Sequence, residues 1–159
     1  MGDVEPIRRD VRVRCSRDRA LRVFTERIGT WWPLETHSIA VDQELGQRAV
    51  TLKIDTRDEG RIQEVLEDSS TRDWGGVVAW EPPHRVVFAW KPHDRPTPPT
   101  EVEVRFTLEA DGALVQLEHR GWDRLGEVSE VIRPLYASDG GWTMVLERYR
   151  NAAESQDAP

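Results

Sequence analysis

The chain has 159 residues, enough for one domain that buries roughly 68–70% of its unfolded surface. Its net charge of −7 leaves no basic excess to neutralise phosphates, which argues against nucleic acid as a partner. Only 38% of the residues are hydrophobic, yet seven are Trp, so indole rings must carry much of the core, and each brings an N–H that needs an acceptor.

Residues 1–6 are expected to fray. Val11, Val13 and Cys15 alternate with Arg12 and Arg14, which predicts a first strand over 7–15. Ser16 suits an N-cap and Asp18 suits the positive end of the helix dipole. Leu21, Phe24, Ile28 and Trp31 follow helical spacing up to Pro33, with Gly29 expected to divide the stretch into two short helices. Residues 34–47 show no period, which predicts a loop or lid. Val50, Leu52 and Ile54 then alternate with Thr51, Lys53 and Asp55 in a second strand, and Asp58-Glu59-Gly60 turns the chain.

A third strand is predicted over 61–67 and a fourth over 74–80, where Trp74, Val78 and Trp80 share a face. Pro82-Pro83 turns the chain into a fifth strand, 86–90, presenting Val86, Phe88 and Trp90 together. Four prolines within 91–100 predict an exposed loop. Val102, Val104, Phe106 and Leu108 alternate with polar neighbours, Asp111-Gly112 is a hairpin signal, and 113–120 completes that pair. Glycines and Pro134 interrupt 121–140, with a helical turn over 128–135. Last comes 141–153, where Trp142, Val145, Leu146, Tyr149 and Ala152/Ala153 form one apolar stripe of a helix.

No crossover helix separates the strands, so the sheet is antiparallel and the class is α+β. About seven strands are expected to curl around the C-terminal helix, with two short helices after the first strand. The chain is read as a single domain, 1–159, with its core at about 8–153 and a cavity between sheet and helix.

Several residues on the inner faces carry chemistry. Glu64 shares its strand face with Ile62 and Leu66, so its carboxylate must find a partner inside. An internal ion pair or hydrogen bond, with Arg61 for instance, is one reading; a ligand contact or catalysis is the other. His119 shares a face with Val115 and Leu117, either as a satisfied core residue or, if it reached Glu64, as half of an acid–base pair. His37 follows Trp31-Trp32-Pro33 and is placed at the cavity mouth, while His84 and His93 are expected in solvated turns. The four His are dispersed and Cys15 is the one cysteine, so no metal site, cofactor or internal disulfide is expected. No apolar run reaches the length of a bilayer span and the first thirty residues lack a signal-like core, which predicts a cytoplasmic protein without membrane insertion.

Seven motifs run in order along the chain: Trp31-Trp32-Pro33, Gly60-Arg61-x-x-Glu64, Asp73-Trp74-Gly75, Trp80-Glu81-Pro82-Pro83-x-Arg85, residues 100–106, Leu117-Glu118-His119-Arg120-Gly121 and Gly140-Gly141-Trp142. Together they resemble the activator-of-Hsp90-ATPase-homologue family of the START-like, or polyketide-cyclase-like (SRPBCC), superfamily. The resemblance implies a helix-grip fold, and a superfamily of lipid carriers, hormone receptors, cyclases and hydrolases. The first expectation for function is a binding protein for a hydrophobic or aromatic small molecule. Its site would be lined by Trp31, Glu64, Trp74, Trp80, Phe88, Trp90, Phe106, His119 and Trp142. The alternatives are a cyclase-, dehydratase- or hydrolase-type enzyme using Glu64 and His119, and a co-chaperone-like interaction protein. A homodimer is left open.

Overall fold

The computed structural model describes residues 5–57, 59–93 and 95–155. Strand β1 (Ile7–Val13) leads into α1 (Arg17–Thr25), α2 (Ile28–Trp31) and α3 (Ile39–Asp42). Six strands follow: β2 (Ala49–Ile54), β3 (Arg61–Leu66), β4 (Thr71–Glu81), β5 (Arg85–Trp90), β6 (Thr100–Glu109) and β7 (Gly112–Arg120). A 3-10 segment (Trp122–Val128), α4 (Ser129–Ala137), a π turn (Asp139–Thr143) and α5 (Met144–Ala153) close the chain. The strands form one antiparallel sheet of order β1-β7-β6-β5-β4-β3-β2, so β1 joins β7 and every other neighbour is sequential. The sheet curls as a half-barrel about α5.

Each helix of the grip exists for a local reason. Ser16 caps α1, its Oγ accepting from Arg19 N–H at 3.1 Å, and α1 turns Ala20, Leu21, Val23 and Phe24 inward. The stripe expected on the last helix is buried as Trp142, Val145, Leu146, Tyr149 and Ala153. At roughly 1.5–3 kcal/mol per fully buried large apolar side chain, that stripe is what holds the helix to the sheet. Tyr149 Oη donates to Ala20 O at 2.7 Å, and Arg19 Nε donates to Ala153 O at 2.8 Å, tying α1 and α5 together.

Where the alternation fails, a bulge is the reason. Val77 pairs with Phe88 and Ala79 with Val87, which leaves Val78 as the extra residue, turned outward and 53% exposed. Trp74 and Trp80 keep the inner side, Trp80 only half-buried. Gly75, at φ +133°, makes the close crossing possible: a Cβ there would lie 1.9 Å from Ala89 O. A second irregularity turns Val50 out, and Leu108 is exposed as well. The β6–β7 loop is Ala110–Asp111, one residue earlier than expected, because Glu109 pairs with Gly112.

The helical boundaries also move. The break between α1 and α2 falls at Glu26-Arg27; Gly29 lies inside α2 against the backbone of Leu52. Trp142 belongs to the π turn, so α5 proper begins at Met144. Gly141 permits that turn, since a Cβ there would lie 2.1 Å from Tyr136 O. Residues 34–47 carry the unexpected α3, and 129–137 form a full helix. Asp58, expected in a turn, lies outside the described residues. Among the described residues, no helix is long and apolar enough to cross a membrane.

Candidate functional site

The inner faces of β3–β7 and the start of α5 bring the aromatic residues together, and they fill the interior themselves. Trp32 stands at the centre of one cluster, edge-on to Trp74 (5.4 Å between ring centres), Trp90 (5.5 Å) and Trp142 (5.8 Å). Tyr136 stacks on Trp142 at 5.5 Å, and His119 lies 4.1 Å from Trp122. A second cluster joins Phe24 to Trp31, Phe106 and Tyr149. Of the side chains expected to line a cavity, Trp31, Trp74, Phe88, Trp90, Phe106 and Trp142 are buried against one another.

Glu64 is fully buried at 0% exposure, and its partner is not Arg61, which pairs with Asp73 at the surface. The carboxylate instead accepts from the backbone N–H groups of Ile39 (2.7 Å) and Ala40 (2.9 Å) and from Trp74 Nε1 (2.8 Å). Three donors satisfy it without a cation, and two of them pin the start of α3 to β3. Ser38 Oγ accepts from Val41 N–H and completes that cap.

His119, also at 0% exposure, bridges β7, β6 and the π turn. Trp142 Nε1 donates to its Nδ1 at 3.0 Å, so Nε2 carries the proton and donates to Thr100 Oγ1 at 2.7 Å. Thr100 Oγ1 passes the chain on to Trp90 O at 3.0 Å. Burial, with a smaller contribution from Arg133, holds the imidazole well below its ordinary pKa, so it is neutral. The acid–base pairing of Glu64 with His119 is not formed. Three strands stand between β3 and β7, about 19 Å along the sheet, and each side chain has its own partners.

Larger, more polar clefts lie elsewhere on the surface, about 780 Å³ beside β1 and β7 among them; the one against this aromatic core is smaller and mostly apolar. A cleft of about 340 Å³ opens where the segment after α2, the loop after β5 and α4 converge. Trp32, Val41, Pro92, Ile132, Leu135 and Tyr136 give it apolar walls; His37, Asp42, His93 and Arg95 are its titratable groups. His37 does sit at the mouth, where Nε2 donates to Gly140 O (2.9 Å) and Nδ1 meets Thr36 Oγ1 (2.7 Å), stapling the two rims. His93 is not solvated but 8% exposed, its Nδ1 accepting from Arg95 N–H at 3.2 Å. Behind Tyr136 and Ile132 lies a small void of about 10 Å³, too small for a ligand, which touches Trp90, Thr100 and His119. Tyr136 is thus the partition between cleft and core. Its hydroxyl accepts from Trp90 Nε1 at 3.1 Å. Burial raises the phenol, outweighing that hydrogen bond, so it stays protonated.

With this architecture in hand, the family model for Activator of Hsp90 ATPase homolog 1-like protein matches residues 14–154. The chain belongs to that family. Among solved structures it is similar to an anthrahydroquino-gamma-pyrone synthase, Txn09, with 26% identity over 94% of this chain and 97% of that one, at a TM-score of 0.63. CalC, a self-sacrificing resistance protein from Micromonospora echinospora, is 22% identical over 96% and 97% of the two chains, TM-score 0.64. The AHSA1-like protein from Aeromonas hydrophila is 16% identical over 94% and 92%, TM-score 0.63. These likenesses establish the helix-grip fold. No curated protein matches the chain by sequence.

Within this AHSA1-like domain the cleft is built largely from residues that the strand and helix patterns did not single out. Tyr136, Ile132 and Leu135 come from α4, Trp32 and Val41 from the stretch around α3, and Pro92, His93 and Arg95 from the proline-rich loop. The one usable signal is negative. All three segments lack clean periodicity, and loops at one end of a sheet are where a fold places its variable surface. Among the described residues, no group of three or more His, Cys, Asp or Glu is placed to hold a metal ion.

Proposed function

We propose that the protein binds a flat, hydrophobic aromatic small molecule, and that the cleft between Trp32, Pro92 and Tyr136 is where it enters. The observation that carries this reading is the cleft itself. Its volume of about 340 Å³ falls at the low end of the ~300–1,000 Å³ typical of small-molecule sites, with the usual mixture of apolar wall and few polar groups. Trp32 and Tyr136 give the wall aromatic surface suited to an apolar ring system. In this reading Trp74, Trp90, Trp142 and His119 are the rigid wall behind the site, and Trp31, Glu64, Phe88 and Phe106 hold that wall in place. Trp80 packs at the core's edge. The family also supports it: the 26% identical relative is named as the synthase of a fused-ring product. Glu64 and His119 are both committed to internal hydrogen bonds, which favours binding over acid–base turnover by that pair.

The test is a titration with neutral 2-(hydroxymethyl)anthraquinone, following quenching of the intrinsic Trp emission. Saturable quenching at micromolar concentration, about −8 kcal/mol, is expected. Leu135→Trp, which fills the cleft from an exposed position, should weaken it at least tenfold while leaving the thermal midpoint within a few degrees. Linear, unsaturable quenching in the wild type would remove the reading, and an unchanged affinity in Leu135→Trp would move the site elsewhere.

A further inference from the structure

Building on that reading, we infer that the bound aromatic molecule carries an acidic oxygen, a carboxylate or an acidic phenolate, and that Arg95 is the specificity-determining residue that receives it. Arg95 lines the cleft, and its Nη1 is buried with no hydrogen-bond acceptor among the described residues. The nearest carboxylate oxygen, Asp42 Oδ1, is 3.7 Å away, an ion pair beyond hydrogen-bond reach. The other Asp42 oxygen is engaged by Gln43 Nε2 at 3.2 Å. A buried guanidinium N–H without an acceptor is costly, and native proteins resolve such a group with water or a ligand.

The loop presents this group in a braced position. Arg95 N–H donates to the buried His93 Nδ1, and Arg95 O accepts from Thr97 N–H at 2.8 Å. Elsewhere in the cleft His37 Nε2 is spent on Gly140 O. Among the described residues that line the cleft, Arg95 supplies the guanidinium for an incoming anion, beside the apolar walls of Trp32 and Tyr136 that would take its rings. A guanidinium reads a planar carboxylate or phenolate with directed N–H groups, which a neutral hydroxyl matches less well. Asp42 has the opposite sign of effect: its charge stabilises free Arg95 and repels an anionic ligand. This gives a test with two opposed variants.

Anthraquinone-2-carboxylate and 2-(hydroxymethyl)anthraquinone share one ring system and differ in charge. Binding of each to the full chain is measured by Trp quenching and by calorimetry. The carboxylate is expected to bind about tenfold or more tighter, the worth of a charge-assisted hydrogen bond in a partly desolvated site. Arg95→Gln should abolish that preference and leave the neutral probe's affinity within about twofold. Arg95→Lys should keep part of the preference, and Asp42→Asn should increase it. Arg95 is on a loop and part-exposed, so these variants should fold; unchanged thermal midpoints verify it. Equal affinity for the two probes, or a preference that survives Arg95→Gln, would overturn the charge assignment while the binding reading stands. Failure of both probes to bind would overturn both.

Discussion

The interior holds two aromatic clusters that differ in what their polar tips are attached to. Around Phe24, Trp31 Nε1 donates to Val23 O and Tyr149 Oη donates to Ala20 O, both backbone carbonyls of α1. The rings there, Phe24, Trp31, Phe106 and Tyr149, are all buried. Around Trp32 the indoles reach groups that belong to irregular segments or to other side chains: His37 O, Glu64, Tyr136 Oη and His119 Nδ1. That region is held by a polar network and opens onto a cleft. Identical residue types therefore serve as ordinary core at one end of α5 and as the backing of a cleft at the other. The acceptor on each ring's N–H marks the difference.

The largest effect should come from breaking the networked cluster at its junction. Trp142→Ala removes a buried ring, about 3–5 kcal/mol, and leaves His119 Nδ1 without its donor, about 1–3 kcal/mol more. Trp142→Phe keeps most of the ring and isolates the second cost. Urea unfolding of the two variants separates the terms. A loss below about 1 kcal/mol for Trp142→Ala would show that this cluster is not part of the cooperative core.

Next is the anchor of α3. In Glu64→Gln the amide can still accept through one oxygen, but its NH₂ must face a backbone N–H that had an acceptor. The expected cost is about 1–3 kcal/mol. Because α3 carries Val41 and Asp42 into the cleft wall, probe binding should weaken together with stability. A variant as stable as the wild type would mean that α3 does not depend on this carboxylate.

His119 adds a pH signature to the same cluster. Its folded pKa lies well below the ordinary value while the unfolded chain titrates near 6.5, so below that pH the unfolded state binds a proton that the folded state refuses. Stability is thus fully present above about pH 6.5 and falls by at most about 1.4 kcal/mol per pH unit beneath it. Glu103 acts in a lower window. Burial tends to raise its carboxyl, but the hydrogen bond from Arg120 and the ion pairs with Arg85 and Arg105 more than reverse this. Its stabilisation is therefore lost only as pH falls below the ordinary carboxylate range. Urea midpoints at pH 7.5, 6.5 and 5.5 should show the upper slope in the wild type and its loss in His119→Asn.

The fold was legible because its stabilising faces are periodic. Val145, Leu146 and Tyr149 repeat with the helix, and Val102, Val104 and Phe106 with the strand, and each set is buried. Alternation placed Glu64 on the inner side but could not name its partners, because two of them are backbone N–H groups of a four-residue helix that has no sequence period. Val78 was misplaced because the extra residue at Trp74 shifts the alternation by one, and Val78, itself the next extra residue, shifts it back before Trp80; alternation counts residues, not pairings. The cleft was hidden for a related reason. Its walls come from the stretch around α3, the proline-rich loop and α4, which meet only in three dimensions, and Pro134 within α4 reads locally as a helix breaker.

The smallest effect on stability should come from the cleft's outer wall, and it sharpens the contrast most. Val131 and Leu135 are one helical turn apart on α4, 59% and 62% exposed, so truncating either to Ala should change stability by no more than about 0.5 kcal/mol. Only Leu135 lines the cleft. A ligand lying there covers its side chain, and the methyl groups lost in Leu135→Ala should cost about 1 kcal/mol of binding, roughly fivefold in affinity. Val131→Ala, one turn away, should leave affinity unchanged. Titrating the neutral anthraquinone against both variants therefore asks where on α4 the ligand rests. Wild-type affinity in both variants would place the ligand away from this wall, and equal losses would point to a diffuse apolar patch instead of a site.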